Sequence, residues 1–222
     1  MIFAAGFGTR MGPLTADRPK PMVTLAGRPL IDHAVEIARA AGIGRIVANL
    51  HYHADMLARH LAPLKVTLSH EAPDILDTGG GLRAALPLLD ARQVFTLNPD
   101  VAWRGDNPLR HLAEAWRPDK MDALLLLIPR ARARGHAGRG DFLCDEDGRL
   151  VRGPGLVYSG AQIIKTDLLH EIGENVFSLN RLWDLMLERE RMFGVTYRGA
   201  WCDAGTPEGL RQAEDMLRQA DV

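Results

Sequence analysis

Apolar residues in this chain fall into short runs divided by glycines, prolines and polar turns, and the runs alternate between two periods. Residues 2–5 (Ile-Phe-Ala-Ala) form a continuous apolar run of strand length that breaks at Gly6. Leu30, Ile31, Ala34, Ile37, Ala38 and Ala41 then recur at helical spacing, and Gly42 supplies a helix stop. The pattern continues with a strand at 45–50, a helix at 54–61 and a strand at 65–69. A helix over 80–89 follows a glycine run, and a strand over 93–98 is halted by Pro99. A helix is expected over 107–116. Residues 122–128 are almost wholly apolar, as in a strand buried on both faces. Strands alternating with helices predict an α/β fold around a mostly parallel, doubly wound sheet.

After residue 128 the pattern changes. Residues 130–140 are rich in Arg, Ala and Gly and read as a mobile loop. Asp147-Gly148 is a strong turn dipeptide that predicts a small hairpin over 142–151. A long strand is expected over 156–165 and a helix over 179–189, with apolar residues at 179, 182, 183, 186 and 187. A strand over 195–198 precedes a closing helix at 207–217 with Thr206 as its N-cap. There is no internal repeat, and no hexapeptide pattern that would announce a C-terminal β-helix domain. The 222 residues are expected to form one domain. The first strand starts almost at Met1, which leaves open a longer natural N-terminus.

Composition narrows the possibilities. Hydrophobic residues at 46% and charged residues at 25% are ordinary for a soluble globular protein. A net charge of -1 offers no basic field for nucleic acid, so any phosphate-binding charge must be local. Cys144 and Cys202 are too few for a disulfide framework and lack metal-ligand spacing, which favours a reducing cytoplasm. No apolar run is long enough to cross a bilayer, and no signal peptide is apparent. The histidines, including His51 and His53, form no cluster at metal spacing.

Candidate phosphate-binding residues follow the first strand. Gly6-Phe7-Gly8-Thr9-Arg10 places glycines at alternate positions and an arginine at the end, and Lys20 stands between Pro19 and Pro21. Glycines let backbone N–H groups approach phosphate oxygens, while Arg and Lys add a planar fork and a point charge. No Gly-Lys-Ser/Thr closes a Walker loop, and Met11 stands where a dinucleotide fingerprint needs its third glycine. Further along, Asn98-Pro99-Asp100 ends a central strand, where open α/β sheets bind ligands, and Trp201-Cys202-Asp203-Ala204-Gly205-Thr206 supplies a second aspartate. Asp77-Thr78-Gly79-Gly80-Gly81 could let a base or ribose lie against bare backbone, or could simply be a flexible start to a helix.

Gly-x-Gly-Thr-Arg-Met-x-Pro-Leu-Thr followed by Pro-Lys-Pro resembles the N-terminal signature of the sugar-phosphate nucleotidyltransferases. The two aspartate motifs extend that resemblance along the chain. Gly12, where many members carry Arg or a larger residue, and Pro99, where the pattern usually has Gly, are departures. Thr78-Gly79-Gly80-Gly81 and Gly138-Arg139-Gly140-Asp141-Phe142 are most similar to the bacterial N-acetylmuramate 1-phosphate uridylyltransferase branch.

The resemblance implies a three-layer Rossmann-like fold with a mostly parallel mixed sheet and a small sugar-side β subregion. Residues 1–128 would mainly bind nucleotide and 129–222 mainly sugar. It implies transfer of a nucleotidyl group from an NTP to a sugar 1-phosphate with release of pyrophosphate, UTP and N-acetylmuramate 1-phosphate being the favoured pair. Ala4, Ala5, Gly6, Gly8, Thr9 and Arg10 would cradle the triphosphate, and Thr78, Gly79 and Gly80 would recognise the base. Arg10, Lys20 and Asp100 would be catalytic, and Asp100 and Asp203 would hold Mg²⁺. Arg139, Asp141, Ser159 and Gly160 would face the sugar, with Arg139 available to a lactyl carboxylate. The alternatives are a guanylyltransferase for mannose 1-phosphate, a glucose 1-phosphate type of enzyme, and a non-catalytic sugar-nucleotide sensor. Neither nucleic acid nor membrane is an expected partner, and monomer and homodimer stay open.

Overall fold

The computed structural model describes residues 1–219. In chain order the strands are β1 (Thr24–Leu25), β2 (Arg28–Pro29), β3 (Val47–Leu50), β4 (Thr67–His70), β5 (Gln93–Leu97), β6 (Val101–Arg104), β7 (Ala123–Ile128), β8 (Phe142–Cys144), β9 (Leu150–Arg152), β10 (Val157–Lys165), β11 (Met192–Thr196) and β12 (Ala200–Asp203). The α-helices are α1 (Leu30–Ala40), α2 (Ala54–Leu61), α3 (Asp77–Leu89), α4 (Pro108–Ala115), α5 (Leu179–Glu188) and α6 (Pro207–Arg218).

The first residues of the chain lie at the middle of the main sheet. Ile2 bridges Ala48 of β3 and Leu97 of β5, parallel to both. On one side β3 pairs with β4 in parallel; on the other, β10 pairs antiparallel with both β5 and β7, and β11 runs parallel to β7. The sheet is therefore mixed and mostly parallel. The strand expected over residues 2–5 shrinks to the bridge at Ile2. Its backbone leaves the ladder because Ala4 N–H donates to the Asn49 side chain, at 2.7 Å, rather than to a neighbouring strand.

Strand β7 shows why the sheet is covered on both sides. Leu124, Leu126 and Ile128 enter a core with Ile31, Val35 and Ala38 of α1, Leu57 and Leu61 of α2, and Leu109 and Leu112 of α4. Ala123, Leu125 and Leu127 point the other way, into a core with Leu82, Ala85 and Leu89 of α3 and Leu182, Trp183 and Met186 of α5. Each buried Leu contributes roughly 1.5–3 kcal/mol, so a strand apolar on both faces fits only in the middle of an α/β/α sandwich.

A third core, with Met11, Leu30, Ala102, Cys202, Ala213 and Met216, seats α6 on the antiparallel ribbon β6–β12. Neither strand of that ribbon was expected, since each has only four residues and no alternating pattern. Helix α3 begins at Asp77, three residues before the expected start, and takes the glycines inside it. Strand β11 lies earlier than expected because Met192 and Phe193 are buried. The expected hairpin forms from β8 and β9 around Gly148 at φ 86°. The loop over 130–140 carries a short turn at Arg130–Arg132. Among the described residues, no helix is long and apolar enough to cross a membrane.

Candidate active site

The chain leaves the sheet at Ala4, where Asn49 holds it; Asn49 in turn donates to Glu71 at 2.6 Å. Both polar side chains are buried, and Glu71 also accepts from Leu76 N–H at 2.7 Å. A buried carboxylate with two hydrogen bonds ties the start of the N-terminal loop to the segment that leads into α3. Beyond Ala4, the amides of Ala5, Gly6, Phe7 and Gly8 donate to no other described residue, and Gly6 and Phe7 are exposed. A run of free amides at a tight bend can wrap an anion.

Gly8 makes that bend. Its φ of 68° suits glycine, and a Cβ there would stand 2.8 Å from Lys20 Cβ. Its carbonyl accepts from Met11 N–H and from the Thr15 hydroxyl, which shapes the 3-10 turn over Thr9–Thr15. Gly12 has φ 56° and ψ -126°, a conformation that a larger residue would hold only under strain.

The two aspartates meet through strand pairing. Asp100 sits in the turn between β5 and β6, and Asp203 closes β12 opposite Val101; Ala204 N–H donates to the Asp100 carbonyl at 2.8 Å. Two cations bind this acidic pair. Lys20 Nζ lies 2.6 Å from Asp100 Oδ2, and the Arg10 guanidinium spans both carboxylates, at 3.5 Å from Asp100 and 3.4 Å from Asp203. Pro19 and Pro21 fix the backbone around Lys20. Gly205 completes the arrangement: its N–H donates to Asp203 Oδ1 at 2.7 Å, and a Cβ there would stand 2.8 Å from an oxygen of each aspartate and 2.7 Å from Arg10.

These groups border a cleft of about 230 Å³ lined by Ala4, Ala5, Gly6, Arg10, Lys20 and Asp100, with Asn49, Glu71, Ile75, Asp77 and Thr78 on its far wall. A second cleft of about 340 Å³ shares Phe3, Asp77, Thr78 and Asn98 with the first and is walled by Asp141, Arg152, Tyr158, Asn180 and Trp183. The site is thus two adjoining chambers. Thr9 is exposed on the 3-10 turn beside the first.

Several expected contacts fall elsewhere. The amides of Gly79 and Gly80 both donate to the Phe177 carbonyl, so they are not free to read a base. A Cβ at Gly79 would meet the Phe177 ring at 2.4 Å, one at Gly80 the Asn175 carbonyl at 2.4 Å, and one at Gly81 the Glu71 carboxylate at 2.4 Å. The glycine run therefore lets α3 dock closely, and Asp77 and Thr78 present the cleft wall. Thr78 Oγ1 accepts from Leu179 N–H at 2.9 Å.

Ser159 is fully buried, with its Oγ accepting from Ala161 N–H, and lines neither chamber. Gly160, at φ 86°, sits in a bulge of β10; a Cβ there would lie 3.0 Å from that of Asn98, whose N–H donates to the Gly160 carbonyl. Arg139 is exposed on its loop and lines neither chamber. Asp141 does line the second, with Oδ2 accepting from Tyr158 N–H at 2.8 Å.

Asn49, Glu71, Arg152, Asn180 and Gly205 were not singled out from the sequence. Gly205 alone left a signal there, as a glycine two residues beyond a motif aspartate. Among the described residues, no three His, Cys, Asp or Glu side chains converge as a metal cage.

The sequence pattern of the MobA-like NTP transferase domain matches residues 1–162. An N-acetylmuramate alpha-1-phosphate uridylyltransferase of Caulobacter vibrioides is 38% identical over 99% of this chain and 97% of its own length. A protein of the same name from Neisseria meningitidis serogroup B is 31% identical over 97% and 96%. A mannose-1-phosphate guanylyltransferase catalytic subunit beta of Drosophila pseudoobscura pseudoobscura is 26% identical over 94% of this chain, but over only 59% of its own length. In fold, the chain is similar to a putative glucose-1-phosphate thymidylyltransferase of Bacillus anthracis, with TM-score 0.82 and 18% identity over 100% and 95% of the two chains. HddC of Yersinia pseudotuberculosis gives TM-score 0.77 and 22% identity over 98% of each chain. By its sequence and its mixed α/β sheet, the chain belongs to the MobA-like NTP transferase domain family, among the sugar 1-phosphate nucleotidyltransferases.

Proposed function

We propose that this protein transfers the uridylyl group of UTP to N-acetylmuramate 1-phosphate, forming a UDP-sugar and pyrophosphate, a step that serves peptidoglycan recycling. The observation that carries the proposal is the cluster of Lys20, Arg10, Asp100 and Asp203 at the border of a cleft that opens into a second chamber. The near full-length relatives named for that reaction support the choice of substrates.

The acceptor phosphate oxygen attacks the α-phosphorus in line while pyrophosphate departs, so no protein nucleophile is required. Catalysis then rests on alignment and on neutralising charge. The free amides of residues 5–8 receive the triphosphate. Arg10 stabilises the departing β/γ end, and Lys20 neutralises charge at the α-phosphoryl or acceptor phosphate. Gly79 and Gly80 seat α3 against the Phe177 carbonyl, so that Asp77 and Thr78 wall the first cleft, which receives the nucleotide. Residues 1–128 mainly hold the nucleotide and 129–222 mainly the sugar.

Asp100 and Asp203 fit a hard divalent cation, Mg²⁺, which takes one or two carboxylates and fills its other positions with water and phosphate oxygens. Such a cation supplies charge neutralisation at the phosphate oxygens. The protein works in the cytoplasm, as a monomer or homodimer, on small molecules rather than on nucleic acid or a membrane.

Transfer of a guanylyl group to mannose 1-phosphate is the rival reading, favoured by the lower-identity relatives. Supplying UTP and GTP together with both sugar phosphates and identifying the sugar nucleotide by mass separates the two. UDP-N-acetylmuramate as the main product supports the proposal, and GDP-mannose overturns it. Binding of UDP-sugar without turnover would indicate a sensor, a role that needs no paired metal carboxylates beside a leaving-group arginine.

A further inference from the structure

We propose that Arg152 sets acceptor specificity by binding a carboxylate carried on the sugar, an inference that rests on the sugar-phosphate reading given above. Arg152 ends β9, and among the described residues it is the one cationic side chain lining the second chamber. Its guanidinium is held in place from three directions. The ring of Phe142 lies 5.1 Å away, that of Trp183 lies 5.6 Å away, and Asp184 Oδ1 accepts from Nη2 at 2.8 Å. Aromatic stacking and one ion pair fix the plane of the fork, which lowers the entropy lost when it captures a ligand.

A guanidinium carries five N–H donors, and Asp184 takes one of those of Arg152. The remaining side-chain donors have no partner among the described residues, and the chamber they border is also lined by Asn180, Tyr158 and Asp141. A planar fork with free donors in a sugar-sized chamber matches a carboxylate, bidentately, better than any hydroxyl of a neutral hexose. N-acetylmuramate carries such a group as its 3-O-lactyl ether, whereas N-acetylglucosamine carries a plain hydroxyl there. The two acceptors differ at that one substituent, so they isolate the contact.

The test compares N-acetylmuramate 1-phosphate with N-acetylglucosamine 1-phosphate on the full chain, Arg152→Ala and Arg152→Lys, by calorimetric binding and by pyrophosphate release from UTP. Unsubstituted protein is expected to bind the carboxylated acceptor at least about 10-fold more tightly than the other, the size of a charge-assisted hydrogen-bonded contact. Arg152→Ala abolishes that preference while binding N-acetylglucosamine 1-phosphate and UTP as before, and Arg152→Lys restores part of it. Equal affinity for the two acceptors in the unsubstituted protein overturns the proposal, as does equal loss for both acceptors in Arg152→Ala. A preserved, Arg152-dependent preference without any pyrophosphate release supports the carboxylate site and overturns nucleotidyl transfer alone.

Discussion

Lys20 and Asp100 form the closest ion pair in the site, and both are largely withdrawn from solvent. Under the proposed reaction, removing either leaves the fold in place but takes away a charge set beside the phosphates. Lys20→Ala and Asp100→Asn are expected to lower kcat by about 100-fold or more, the cost of losing a preorganised electrostatic contact. Unchanged far-ultraviolet circular dichroism and melting temperature would accompany that loss, and full turnover in either variant would remove the role assigned to it.

A second residue-scale consequence concerns alkaline stability. Burial, with help from Asp106 and opposed by Arg132, pushes the Tyr197 phenol from its ordinary value near 10 up to about 12. The unfolded chain therefore loses this proton first. The stabilising contribution is full below pH 10 and drains away as pH rises through 12. Urea midpoints measured from pH 9.5 to 11.5 should fall less steeply for Tyr197→Phe than for the unsubstituted chain; identical slopes would contradict this.

At this scale the sequence singles out Arg10, Lys20, Asp100 and Asp203, and the structure brings these four charged side chains together. It left Glu71 and Arg152 hidden. One works through a buried hydrogen bond to Asn49, the other through stacking on Phe142 and Trp183, and neither leaves a spacing signature.

Among the elements, helices with clear caps and strands with pure apolar content were the most readable. Thr206 caps α6 as expected, its Oγ1 accepting from Gly209 N–H at 3.0 Å. Thr206→Ala should cost about 1 kcal/mol of stability, visible as a lower denaturation midpoint. Strand β7 was readable because both its faces are buried; β6 and β12 were not, because four-residue strands of mixed polarity look like loop.

The start of α3 shows a different limit. A glycine run looks the same whether it receives a ligand or a neighbouring backbone, and only the Phe177 and Asn175 contacts decide between them. Gly80→Ala would drive a methyl into the Asn175 carbonyl and is expected to destabilise the fold by about 1–3 kcal/mol through overpacking. A melting temperature equal to that of the unsubstituted protein would restore the glycine run as open backbone.

Over the whole molecule, alternation of strands and helices was enough to foresee a doubly wound sheet, since layered burial leaves few other arrangements. The antiparallel course of β10 and the central position of Ile2 were not foreseeable, because they depend on pairings between distant parts of the chain: Ile2 with Leu97, and Ala161 with Leu97. Those long-range pairings build the site, carrying the loop after Ile2 and the turn after β5 to one end of the sheet, beside the β6–β12 ribbon that aligns the two aspartates. In the proposed reaction, the resulting cleft joins UTP to N-acetylmuramate 1-phosphate. Pyrophosphate release from that pair, measured with Mg²⁺ and again after its removal by chelation, tests it most directly. Release that requires both substrates and stops on chelation is the predicted result; no release from UTP with this acceptor, under conditions where GTP and mannose 1-phosphate do react, would contradict it.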